Sequence, residues 1–228
     1  MKSKVIVALD FPDKDEALSL LAQLDPCLCR VKIGMQLFTL YGPALVRKII
    51  DLGFDVFLDL KFHDIPQTVA NAVKVACDLG VWMLTVHVQG GVEMLKAARE
   101  AIDHCPGRSP LLLGVTWLTS LDRHDLLLTT GRQSTTEDYV CDLARLAYQC
   151  QLDGVICSAQ EARQVRLCTN EDFLLVTPGI RLSDVSHDQK RVVTPQQAVQ
   201  NGADFLVVGR AITQSESPAE VVQRLIQL

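Results

Sequence analysis

The chain has 228 residues, 48% of them hydrophobic and only 5% aromatic, with 22 Lys and Arg against 27 Asp and Glu. The net charge of -5, without a basic cluster, argues against nucleic acid or an anionic membrane as the main partner. The length allows one large domain or two small ones, and no apolar run reaches a membrane span.

The chain opens on a strand at 5–9, whose apolar run is too short for a signal peptide. Further strands are predicted at 30–33, 55–60, 83–87, 111–115, 154–157, 174–177 and 205–209. Helical patterns lie between them near 14–24, 43–52, 65–79, 92–104, 137–150, 159–166 and 195–201, and a last one near 219–226 closes the chain. Ser158-x-x-Glu161 and Thr194-Pro195-x-Gln197 have the form of capping boxes. Gly53, Gly80 and Gly202 stand where a left-handed cap precedes the next strand.

Strict alternation of strand and helix with eight strands favours an α/β fold, a (β/α)8 TIM barrel, over a doubly wound sheet. The doubly wound alternative usually shows a glycine-rich turn after the first strand, where this chain has Asp10-Phe11-Pro12-Asp13. No linker or low-complexity segment interrupts the pattern, so residues 1–228 are expected to form one domain. The connections 116–136 and 178–193 are long enough to be functional lids. The eight cysteines show neither zinc spacing nor a CxxC, and read as reduced thiols in a cytosolic protein.

The densest chemistry lies in Asp59-Leu60-Lys61-Phe62-His63-Asp64-Ile65-Pro66-Gln67-Thr68. Side chains alternate along a strand, so Asp59 and Lys61 are expected on one side. A lysine between carboxylates is placed to deliver a proton to a developing carbanion. Asp64 opens the next helix, and Thr68 follows one turn later. Asp64 is also open to a reading as a plain helix cap.

In a barrel the C-terminal strand ends share one face, where active sites sit. Asp10, Lys32, Asp59, Lys61 and His87 would meet there, with Thr119-Ser120 after strand five. One such residue alone reads as a strand-end charge meeting solvent. Burying four unpaired charges together is costly, which favours an alternating network of Asp10, Lys32, Asp59 and Lys61. Gly209-Arg210 after strand eight suits a phosphate, since the glycine lets an anion approach the backbone and the arginine offers a fork. Arg181 and Gln189, after strand seven, are placed to close over the same group. A surface ion pair is the alternative for Arg210.

These segments resemble the orotidine 5'-phosphate decarboxylase family, especially its bacterial form. The likeness runs through Val7-Ala8-Leu9-Asp10, Val31-Lys32-Ile33-Gly34, the Asp59-to-Thr68 stretch, Leu118-Thr119-Ser120 and Gly154-Val155-Ile156-Cys157-Ser158-Ala159-Gln160-Glu161. It continues through Thr177-Pro178-Gly179-Ile180-Arg181, Asp188-Gln189-Lys190-Arg191-Val192 and Val208-Gly209-Arg210. One Asp-x-Lys-x-x-Asp is moderately specific, and all the segments in order are highly specific.

The resemblance implies conversion of orotidine monophosphate to uridine monophosphate by a cytoplasmic homodimer that uses no metal or organic cofactor. It implies Lys61 as proton donor to C6, Asp59 beside the substrate carboxylate, and Asp64 and Thr68 reaching in from the partner subunit. Ile65 joins the substrate-binding residues. Asp10 and Lys32 would bind ribose hydroxyls, Thr119 or Ser120 the pyrimidine, and Arg181, Gln189, Gly209 and Arg210 the phosphate. A magnesium-dependent phosphosugar decarboxylase of the same barrel group is the nearest rival, and Lys32 and Ile65-Pro66 argue against it. A silent phosphate-ligand binder is the other rival, opposed by the intact Asp59, Lys61 and Asp64.

Overall fold

The computed structural model describes residues 3–180 and 193–227. Among these, β1 (Val5–Ala8), β2 (Arg30–Gly34), β3 (Val56–Phe62), β4 (Met83–His87), β5 (Leu111–Val115), β6 (Gly154–Ile156), β7 (Leu174–Thr177) and β8 (Phe205–Val208) form a closed parallel barrel. Each strand pairs with its sequence neighbour, and β8 returns to β1 through Val5↔Leu206, Ile6↔Val207 and Val7↔Val208. The fold is the expected (β/α)8 TIM barrel.

Both faces of the strands are apolar because both are covered. On β1, Val5 and Val7 point outward to the helices, while Ile6 and Ala8 point into the barrel with Phe57, Met83, Leu113, Val176 and Val207. The strands are followed by the helices α1 (Lys14–Leu21), α2 (Met35–Asp51), α3 (Pro66–Asp78), α4 (Gly91–Asp103), α5 (Arg123–Thr130), α6 (Thr136–Gln149), α7 (Ala162–Cys168), α8 (Pro195–Gln200), α9 (Arg210–Thr213) and α10 (Pro218–Ile226).

Arg30 closes the floor at the N-terminal end of β2. Its guanidinium lies 4.3 Å from the Trp82 ring centre and 5.2 Å from that of Phe205, and its Nε stands 3.5 Å from Asp55 Oδ2. Arg108 adds a second cation to Asp55 at 3.3 Å.

Several element ends follow the local signals in the sequence. Gly53, Gly80 and Gly202 all take positive φ. Thr194 and Gln197 make both halves of their capping box. Ser158 and Glu161 also meet, with the Ser158 N–H donating to Glu161 Oε2 at 2.9 Å, but α7 begins at Ala162 instead of 159. The helix expected at 43–52 is the second half of α2, which is broken at Gly42 (φ 56°, ψ -154°) and resumes at Pro43. Helix α5 lies inside the connection read as a loop, where Asp122 and Asp125 form a capping box that hydrophobic periodicity does not reveal.

The reading of all eight cysteines as reduced thiols is corrected. Cys77 and Cys105 form a disulfide with Cα atoms 5.9 Å apart, across a sequence separation of 28. Packing of α3 beside α4 brings them together, and a spacing rule has no view of that. Burial holds the Cys29 and Cys141 thiols up to about 12, helped by Asp25 at Cys29 and by Cys168 at Cys141.

Candidate active site

The C-terminal strand ends enclose a cavity of about 800 Å³. Asp10, Lys32, Asp59, Lys61, Thr119, Gly209 and Arg210 all line it, so residues from five separate strand ends converge as expected. The alternating network is present. Lys32 Nζ stands 3.0 Å from Asp10 Oδ1 and 3.9 Å from Asp59 Oδ2, and Lys61 Nζ stands 2.8 Å from that same Oδ2.

Burial differs along the network. The Lys32 and Asp59 side chains are 11% and 13% exposed, Lys61 is 26% and Asp10 is 64% exposed. Asp59 is therefore a buried anion held by two cations, and Lys61 is the cation that reaches toward the cavity. At ~4 Å and an effective dielectric of ~20, each opposite pair is worth roughly 4 kcal/mol before desolvation.

Simple alternation does not explain how Lys61 reaches Asp59. The pairing of β3 with β4 runs Leu58↔Leu84 and then Phe62↔Val86, so three residues of β3 face one of β4. Lys61 sits in this bulge with φ 53°, one of two non-glycine residues at positive φ among those described. Such a backbone costs of order 1–3 kcal/mol and gathers at functional sites. The single facing residue is Thr85, fully buried, which the sequence reading missed. Its hydroxyl accepts from the Lys61 N–H at 2.9 Å and donates to Asp59 Oδ1 at 3.0 Å.

Gly34 closes the Val31-Lys32-Ile33-Gly34 motif at the end of β2. A Cβ at this position would stand 3.2 Å from Lys32 Nζ and 3.5 Å from Asp10 Oδ1, so glycine keeps room for that ion pair. At Gly209 a Cβ would make an ordinary 3.7 Å contact with Ala8. Packing among the described residues does not demand glycine there, and its bare backbone lines the cavity. Helix α9 begins at the next residue, Arg210.

Not every expected residue enters the cavity. Asp64, Ile65 and Thr68 are exposed and do not line it, and Ile65 is 67% exposed. The Asp64 side chain accepts from the Ile65 N–H at 2.6 Å and makes no cap to α3, whose N-terminus is set by Ile65 and Pro66. Between the two candidates after β5, Thr119 lines the cavity and Ser120 is exposed outside it. Arg181 and Gln189 lie outside the described residues.

His87, at the end of β4, stacks on His63 with ring centres 5.2 Å apart. Burial, reinforced by His63 and Lys61, pushes the His87 pKa down to about 4, so its imidazole is neutral at pH 7. Among the described residues no group of three or more His, Cys, Asp or Glu is arranged to hold a metal ion.

A closed β/α barrel with alternating ionisable groups at its C-terminal mouth has the build of a barrel enzyme. The family model described as orotidine 5'-phosphate decarboxylase / HUMPS family matches residues 3–225. The orotidine 5'-phosphate decarboxylase of Nitrosospira multiformis is 54% identical over 223 residues, covering 97% of this chain and 92% of the relative. That of Escherichia coli O9:H4 is 49% identical over 224 residues, covering 98% and 91%. The crystal structure of orotidine 5'-phosphate decarboxylase from Lactobacillus acidophilus superposes with a TM-score of 0.87 at 35% identity, covering 99% of this chain and 98% of that one. The chain belongs to the orotidine 5'-phosphate decarboxylase / HUMPS family.

Proposed function

We propose that this chain is a carboxy-lyase that converts orotidine 5'-monophosphate to uridine 5'-monophosphate and carbon dioxide, the decarboxylation step of pyrimidine synthesis. It works as a cytoplasmic homodimer in which residues 1–228 of each subunit form a single domain, without a metal or organic cofactor. The observation that carries the reading is the Lys61 ammonium, 2.8 Å from Asp59 inside the same cavity that Gly209 and Arg210 line.

In this reading the phosphate rests on the Gly209 backbone and Arg210, with Arg181 and Gln189 joining from the long connection after β7. Asp10 and Lys32 take the ribose hydroxyls, and Thr119 faces the pyrimidine. The C6–carboxylate bond breaks, carbon dioxide leaves, and the electron pair stays on C6. Lys61 then transfers an ammonium proton to C6 and recovers one from solvent. The vinyl carbanion has no adjacent carbonyl to accept its charge, so the enzyme must stabilise it electrostatically, and a fixed ammonium does so.

Repulsion between Asp59 and the substrate carboxylate, ~4 kcal/mol at ~4 Å and an effective dielectric of ~20, falls well short of the ~20 kcal/mol expected for so demanding a reaction. The remainder comes from preorganised charge and from binding energy at the remote phosphate. Exposure of Asp64, Ile65 and Thr68 outside their own cavity supports their delivery to the cavity of a second subunit.

The test mixes purified protein with orotidine monophosphate and a chelator, and follows loss of substrate absorbance beside Lys61→Ala. Decay in the wild type alone is expected. A strict requirement for added metal would move the assignment to the phosphosugar decarboxylases. In a second arm, inactive Lys61→Ala and Asp64→Ala subunits are mixed, and recovered activity in hybrid dimers is expected. Failure to recover it would argue against a shared site.

A further inference from the structure

We propose that Thr85 is a positioning residue for the reaction, whose hydroxyl holds both Asp59 and the strained backbone of Lys61 in working geometry. The inference rests on the decarboxylase reading above and adds to it a residue that touches no substrate.

The bulge removes part of the ladder between β3 and β4. On its other side Thr85 remains in regular register, opposite Leu113 of β5, with Val86↔Gly114 following. Its main chain is thus held by β5, while its side chain faces the three β3 residues left without ladder partners on β4. The Lys61 N–H would be an unmet donor in this gap, and the Thr85 hydroxyl accepts from it at 2.9 Å.

Hydrogen direction is fixed by chemistry. A backbone N–H only donates and a carboxylate only accepts, whereas a hydroxyl has one hydrogen and two lone pairs. The Thr85 hydrogen must therefore point to Asp59 Oδ1, 3.0 Å away, while its oxygen receives the Lys61 amide. That leaves Asp59 Oδ2 for the Lys61 ammonium at 2.8 Å. One buried hydroxyl thus ties the main chain of the proton donor to the carboxylate that holds its side chain, in a closed ring of three contacts. Thr85 is fully buried, so its hydroxyl is not in contact with solvent and its two partners depend on it.

Thr85→Val keeps the shape, removes the acceptor for Lys61, and leaves Asp59 Oδ1 unpaired. Since small misplacements of a reacting group are costly, kcat is expected to fall roughly 10- to 100-fold. KM for orotidine monophosphate should change less than about threefold, since phosphate and ribose contacts lie elsewhere. Thr85→Ser, which keeps the hydroxyl, should restore kcat to within about threefold of wild type. Undiminished kcat in Thr85→Val, or a Thr85→Ser variant as slow as the valine one, would overturn the proposal.

Amide exchange of Lys61 in the wild type tests the same ring without substrate or mutation. Slow exchange is expected although the residue is outside the ladder, and free exchange would overturn the proposal even if no variant folds. A wild type that leaves orotidine monophosphate untouched would sink the decarboxylase reading, and with it the catalytic part of this inference. The exchange rate would then report on the contact alone.

Discussion

The barrel carries a cation–aspartate pair at each end, and the two are built differently. At the floor, Arg30 faces Asp55 with its guanidinium against Trp82 and Phe205. At the mouth, Lys61 faces Asp59 from a bulged strand with φ 53°. A guanidinium stacks on aromatic rings and does not give up its proton, which suits a plug. An ammonium can transfer one, which suits chemistry on a substrate. Regular strand geometry serves the first, and a costly backbone serves the second.

The largest effect that would test this contrast is at the mouth. Lys61→Ala is expected to lower kcat by at least ~10⁴-fold, since it removes both a proton donor and the charge that stabilises the carbanion. Lys61→Arg should be nearly as poor despite keeping the charge. Steady-state rates check both, and an active arginine variant would break the distinction between the two ends. At the floor the reverse split is expected. Arg30→Met should lower the unfolding free energy by about 1.5–3 kcal/mol, because Asp55 loses its buried partner but keeps Arg108, with kcat/KM unchanged. Denaturant melts beside activity assays check it, and a large fall in kcat/KM for the folded variant would show that the ends are coupled.

Arg210→Ala should weaken uridine 5'-monophosphate by roughly 10- to 100-fold, the worth of a charge-assisted contact to phosphate, while affinity for uridine stays the same. Titration calorimetry with both ligands decides it, and equal losses for the two would remove the phosphate assignment. The smallest effect concerns His87. Unfolded histidine takes up a proton near the ordinary 6.5, whereas burial beside His63 and Lys61 delays this to about 4 in the fold. The unfolded state therefore binds more protons in between, so the His87 contribution is intact above about 6.5 and is lost as pH falls toward 4. Melts at pH 7, 5.5 and 4.5 should show a steeper acid decline in wild type than in His87→Asn. Equal slopes would count against the cause given.

Much of this was legible in the chain because its signals are local or periodic. Strand positions follow from short apolar runs, and Gly53, Gly80 and Gly202 mark helix ends. The convergence of Asp10, Lys32, Asp59 and Lys61 follows from placing those strands in a barrel. Thr85 was not legible, because a threonine in Met83-Leu84-Thr85-Val86-His87 reads as an ordinary strand residue. Its role arises from a register shift in the neighbouring strand, which has no composition of its own. The pairing of Asp59 with Lys61 was expected from alternation, yet the actual route passes through that shift. Cys77 and Cys105 meet only through helix packing. The role of Arg30 is not legible either, because a cation at the start of a strand reads as solvated and only the fold brings Trp82 and Phe205 against it.

Gly34 ends β2 and also caps α2, which starts at Met35, so no loop separates strand from helix there. New substrate preferences in barrels usually arise by lengthening the segments that follow the strands. At this junction an inserted residue would displace Lys32, two positions away, and a side chain on Gly34 would press its ammonium. After β5, by contrast, residues 116–122 separate the strand from α5. The scope for descendants of this chain to acquire new specificities is therefore uneven around the mouth, with the β2 quarter closed to insertion.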